Sequence, residues 1–110
     1  MSKWSSWRKF PDPRKNENLH APFGPGVYEL RDVAEGIKVL VGKGRNLAHR
    51  MSSLLPKPYG CGTRHNLRKR RYVLRHIEHI EYRTIACDDI AEASAVEREY
   101  LRKYRYKFPT

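Results

Sequence analysis

Residues 39–50 read VLVGKGRNLAHR, and the conformation of this stretch decides the fold. An apolar, β-branched run stops at Gly42, two basic residues bracket Gly44, and Leu47 and Met51 then recur at helical spacing. That pattern predicts a strand, a tight glycine turn and a helix with Asn46 as its N-cap. It does not predict a nucleotide cradle. A phosphate loop of the GxxxxGK[ST] type needs four residues between its glycines and a hydroxyl after the lysine, and neither is present. Nor is it GxGxxG, because Leu47 stands where the third glycine would be. No small-molecule nucleotide cofactor is expected.

Upstream, Pro22, Gly24, Pro25 and Gly26 mark a turn before VYEL, and polar residues from Asp32 to Gly36 separate that run from IKVLV. Two short apolar runs joined this way predict an antiparallel hairpin. Downstream, LAHRMSSLL and the segment from His65 to about His76 read as helices, and HIEYRTI (79–85) as a third strand. Asp88 or Asp89 then caps a last helix, IAEASAVEREYLRKY. The expected architecture is α+β, a small, mainly antiparallel three-stranded sheet flanked by helices in the order β-β-α-α-β-α. Residues 1–22, with three prolines and two tryptophans, read as an N-terminal arm with a short helical turn around Trp4 and Trp7. Residues 23–110 read as a single domain.

Charge narrows the function. Among 110 residues, 23 Lys+Arg against 12 Asp+Glu give a net charge of +11, which points to a polyanionic partner, most commonly nucleic acid. No apolar run approaches the ~20 residues of a membrane span, no signal-peptide core is evident, and two cysteines make no disulfide framework. A cytoplasmic protein is expected. Cys61, His65, His76, His79 and Cys87 match no familiar zinc spacing.

Two further segments carry chemistry. From Gly62 to His76, residues 64, 68, 69, 70, 71 and 75 are Arg or Lys, with no acid among them. On a helix Arg64, Arg68, Arg71 and Arg75 would form one row, suited to successive backbone phosphates. In the last helix, at about 100° per residue, Glu97 falls inside the arc of Ala93, Val96, Tyr100, Leu101 and Tyr104. A carboxylate on the inner face requires a cation, a metal or a hydrogen-bond donor. It reads as a partly buried ion pair, a metal ligand or a general base.

Taken together, GPGVY (24–28), LVGKGRNLxxR (40–50) and EAxxxExxxLxxY (92–104) resemble the GIY-YIG nuclease family over residues 24–108. The resemblance implies a metal-dependent endonuclease acting on DNA. Within it Tyr28 takes the GIY tyrosine's place, positioning or activating the attacking water. Arg50 takes that of the arginine on the transition-state phosphate, and Glu97 that of the glutamate holding Mg²⁺ or Mn²⁺. Leu40 stands where the family has its second tyrosine, with Lys38 two residues before it and Lys43 just past the turn as candidate replacements. Lys43, Arg45, His49 and the 64–75 row, with Lys69, are expected to track the DNA backbone. Tyr59, Trp4 or Trp7 would stack unpaired bases of a single-stranded or branched substrate. The alternative is a catalytically inert nucleic-acid-binding module with the same fold.

Overall fold

A computed structural model describes residues 3–109. Residues 1 and 2 of the expected arm and residue 110 of the expected domain lie outside it. The elements run β1 (Arg8–Lys9), β2 (Gly26–Asp32), β3 (Ile37–Gly44), α1 (Leu47–Ser52), α2 (Leu67–Arg75), β4 (Ile80–Ala86) and α3 (Ile90–Lys103).

The hairpin forms from β2 and β3, antiparallel from Gly26 opposite Gly44 to Asp32 opposite Ile37. Its turn is pinned by Asp32, whose buried carboxylate accepts from the amides of Ala34 (3.0 Å) and Glu35 (3.1 Å). Gly36 closes the turn at φ +68°, in the left-handed region that favours glycine. β4 pairs antiparallel with the other edge of β2, as the α+β expectation requires.

The sheet has four strands, however, in the order β1-β4-β2-β3, so the three-stranded expectation is corrected. The extra strand comes from the lead-in, where Arg8 pairs opposite Tyr82 and Lys9 opposite Glu81. Two paired residues leave no period in the sequence; burial of the adjacent Phe10 anchors them. The helical turn expected around Trp4 and Trp7 is absent. The Ser5 amide instead donates to the Thr84 carbonyl (2.7 Å) and the Trp4 indole N–H to the Tyr100 hydroxyl (3.0 Å), which holds the segment extended.

One face of the sheet carries α1 and α2 over Leu30, Leu40, Met51, Val73 and Ile80, and the other carries α3 over Val27, Val41, Ala93 and Tyr106. Asn46 caps α1 by accepting from the His49 amide (3.1 Å), and Asp89 caps α3 by accepting from the Glu92 amide (2.8 Å). α1 ends at Ser52, three residues short of the expected helix, and α2 begins two residues later than expected. β3 is an edge strand, covered outside where the amides of Lys107 and Phe108 donate to the carbonyls of Lys38 (3.0 Å) and Val39 (2.9 Å).

Candidate active site at the edge of the hairpin

The glycines of the opening stretch explain the site's geometry. β3 continues through Gly42, Lys43 and Gly44 rather than turning at Gly42. Tyr28 pairs opposite Gly42, and its ring crosses the space a side chain would fill. A Cβ on Gly42 would lie 2.6 Å from the Tyr28 hydroxyl and Cζ, far inside van der Waals contact. Gly44 does the same for Arg50, since a Cβ there would come within 2.9 Å of the Arg50 Cβ. Each glycine clears a path for one side chain, and Lys43 between them turns toward α3.

Tyr28, Lys43, Arg45, Arg50, Lys69 and Glu97 thereby line one cleft of about 450 Å³. They come from β2, β3 and the turn after it, α1, α2 and α3. Lys43 donates to the Ser94 hydroxyl at 2.9 Å, and its Nζ stands 3.7 Å from Glu97 Oε1. Ser94, not among the expected site residues, lies one helical turn before Glu97, and that i−3 spacing is its signal in the sequence. Among the described residues Glu97 is the cleft's only carboxylate, against the four cations Lys43, Arg45, Arg50 and Lys69. This is a site for anions.

Burial dominates the acid–base behaviour of Tyr28. It pushes the phenol up to about 12, a shift that Arg50 partly opposes and Glu97 reinforces. At neutral pH the buried hydroxyl is therefore protonated. Lys69 is held below the usual lysine range, mainly by burial and then by Arg50, while Glu97 acts in the opposite sense.

Other expected residues lie elsewhere. Lys38 is not in the cleft, because the β2–β3 register shifts between Leu30 and Arg31, leaving Val39 as an extra residue. Such a bulge reverses the alternation, so Lys38 faces opposite Leu40 and its Nζ meets buried Glu29 at 3.0 Å. Leu40 is 1% exposed, in the core opposite Leu30. His49 is exposed on α1 and is not part of the cleft lining. Arg64 precedes α2 and breaks the expected row, whereas Arg68, Arg71 and Arg75 share a second groove. Arg70 turns inward, donating to the carbonyls of Leu55 (2.9 Å) and Gly60 (3.1 Å). Trp4 and Trp7 are committed to stacking with the protein's own Arg83 (4.4 Å) and Arg31 (4.0 Å). Tyr59 is exposed, beside Leu55 and Leu19 rather than the cleft.

The donor set suits a hard divalent cation. Mg²⁺ commonly takes one or two protein carboxylates and completes its shell with waters and substrate phosphate oxygens. Glu97 offers one partly exposed carboxylate in an anion-binding cleft, which fits that mode. Among the described residues no group of three or more Asp, Glu, His or Cys converges on a metal site.

No family model matches the sequence, and no curated protein matches it. Solved structures do. The N-terminal GIY-YIG endonuclease domain of UvrC from Thermotoga maritima, bound to magnesium as its catalytic divalent cation, is 28% identical, with a TM-score of 0.58 over 79% of this chain and 84% of that one. A tyrosine-to-phenylalanine mutant of that domain, also bound to its catalytic divalent cation, gives the same identity, coverage and score. A second such mutant is 27% identical, with a TM-score of 0.57 over 79% of this chain and 83% of that one. The chain has the GIY-YIG nuclease fold.

Proposed function

We propose that the protein is an endonuclease that hydrolyses DNA phosphodiester bonds with the help of Mg²⁺ or Mn²⁺, on single-stranded or branched substrates. The observation that carries this reading is the convergence of Tyr28, Arg50 and Glu97, from β2, α1 and α3, in one cation-rich cleft.

The cleft's residues divide the work. A phosphodiester entering it meets Arg50, Lys69 and Arg45, which neutralise charge growing on the phosphate oxygens as water attacks in line. Tyr28, protonated and buried to the ring, fixes the water's orientation at the bottom of the cleft. Lys43 is steadied by Ser94 and Glu97 within reach of the same phosphate. Glu97 is the residue that would hold the divalent cation, whose chemistry is Lewis-acid stabilisation of the phosphate and leaving oxygens.

One observation favours the inert alternative. Leu40, where the resemblance places a second tyrosine, is sealed in the core and brings no oxygen to the site. Labelled single-stranded, duplex and branched DNA incubated with Mg²⁺, Mn²⁺ or EDTA separates the readings. Metal-dependent fragments, most abundant from the single-stranded or branched substrates, are expected. Binding without cleavage in either metal would instead establish the inert module. The free thiols of Cys61 and Cys87 accord with the reducing cytoplasm in which we place the protein.

A further inference from the structure

A second groove, of about 450 Å³, lies between α2 and the C-terminal segment. Arg68, Arg71 and Arg75 form its α2 wall, Lys107 and Phe108 the opposite one, and among the described residues no acidic side chain lines it. Tyr72 forms the floor. Its hydroxyl donates to Asp32 at 2.8 Å, and its ring meets the Phe108 ring edge-on with centroids 5.8 Å apart. Lys107 Nζ stands 5.1 Å from the Tyr72 ring centre and 5.9 Å from that of Phe108. The tail wall is fixed in place, because the Lys107 and Phe108 amides are bonded to β3 and the Tyr106 hydroxyl donates to buried Glu29 at 2.5 Å. Phe108 itself is only half-buried.

The groove and the cleft are neighbours across α2 and β3. Lys69 faces the cleft from the same helix that carries the three arginines. Along β3, Val39 (bonded to Phe108) and Gly42 (under Tyr28) are three residues apart, roughly 10 Å at about 3.3 Å per residue. A nucleic-acid strand spans that distance in about three phosphates at the ~3.4 Å rise of a stacked strand, and in fewer when extended. Cations arranged beside an aromatic surface match a strand whose bases are not paired, since a stacked duplex base pair offers no free face.

We infer that this groove is a subsite for unpaired DNA leaving the catalytic cleft, with phosphates on Arg68, Arg71 and Arg75 and a base stacked against Phe108. The direction of the strand rests on the nuclease reading; occupation of the groove does not require cleavage.

The test is fluorescence anisotropy in EDTA with three labelled probes: a short oligothymidylate, an abasic oligonucleotide of equal length, and a duplex. Phe108→Leu keeps apolar contact with Tyr72 and removes the aromatic face. It should weaken oligothymidylate binding by about 5- to 100-fold, leave the salt dependence unchanged, and barely affect the other two probes. Arg71→Gln with Arg75→Gln should lower the slope of log affinity against log salt by about 1.4, two phosphates' worth for a single strand. Oligothymidylate affinity within about twofold of wild type for Phe108→Leu, or an equal loss on all three probes, overturns the subsite. If Phe108→Leu melts early, Phe108→Trp decides: retained binding supports the subsite and lost binding overturns it. A wild type that binds as described yet cuts no DNA contradicts the nuclease reading alone. One that cuts but is indifferent to Phe108→Leu contradicts the subsite alone.

Discussion

Gly42 lies under the Tyr28 ring so closely that a Cβ there would stand 2.6 Å from the hydroxyl. A tyrosine ring hinged at a buried strand cannot yield as a lysine tip would. Gly42→Ala is therefore expected to displace Tyr28 from the cleft and reduce DNA cleavage at least as much as Tyr28→Phe, with binding to DNA changed less than about threefold because the cations remain. Parallel cleavage and anisotropy measurements on the two variants check this, and an active Gly42→Ala protein would show that the ring's position is immaterial.

Lys43 and Glu97 face each other at 3.7 Å, both partly exposed. If Glu97 holds a divalent cation as proposed, the lysine competes with that cation for the carboxylate when no DNA is bound. Lys43→Met should tighten Mn²⁺ binding, by about fivefold for a pair this exposed, while Glu97→Gln removes it. The same lysine change should slow cleavage by about 10- to 100-fold, since a charged donor to the phosphate is lost. Electron paramagnetic resonance of free Mn²⁺ follows the first effect and gel assays the second.

The high pKa of Tyr28 makes a distinct pH prediction. Its phenol ordinarily titrates near 10 and is raised to about 12, chiefly by burial. Tyr72 is raised to about 12 as well, by burial first and then by its bond to Asp32. Groups with raised folded-state values contribute stability that is fully present below pH 10 and lost as the pH climbs through about 12. Chemical denaturation should show falling stability above pH 10, with tyrosinate absorbance developing late. In cleavage, no pH–rate limb near neutrality should vanish in Tyr28→Phe; such a limb would make the phenol a base.

On the opposite face, buried Glu29 accepts from Lys38 (3.0 Å), Arg83 (2.8 Å) and the Tyr106 hydroxyl (2.5 Å). Burial alone would raise its pKa, but these partners together hold it below the ordinary 4.5. Its stabilisation is present above that value and lost as pH falls through the lower folded-state value. Glu29→Gln should cost about 3 kcal/mol at neutral pH and flatten the acid limb of a urea-denaturation series. An unchanged acid limb would mean that Glu29 does not drive it.

Much of this architecture was legible because the apolar periods are strong. The hairpin, the Asn46 and Asp89 caps and the inward placement of Glu97 follow from local pattern, and local pattern is what packing used. Lys38 was misread for a physical reason: one extra residue at Val39 reverses the alternation, and a bulge leaves no mark in composition. β1 was missed because two residues hold no period, and Arg64 because α2 starts after it. Ser94 and the Lys107–Phe108 wall depend on tertiary contact between distant segments, which a single sequence does not display.

On the proposed reading Glu97 and Arg50 form one hydrolytic site. This is tested most directly by single-turnover cleavage of end-labelled DNA in Mn²⁺ by wild type, Glu97→Gln and Arg50→Ala, each at a concentration that saturates binding. Metal-dependent cleavage by wild type is expected, falling at least about 100-fold in each variant while DNA remains bound. Cleavage by Glu97→Gln at the wild-type rate, or no cleavage by any of the three, would contradict it.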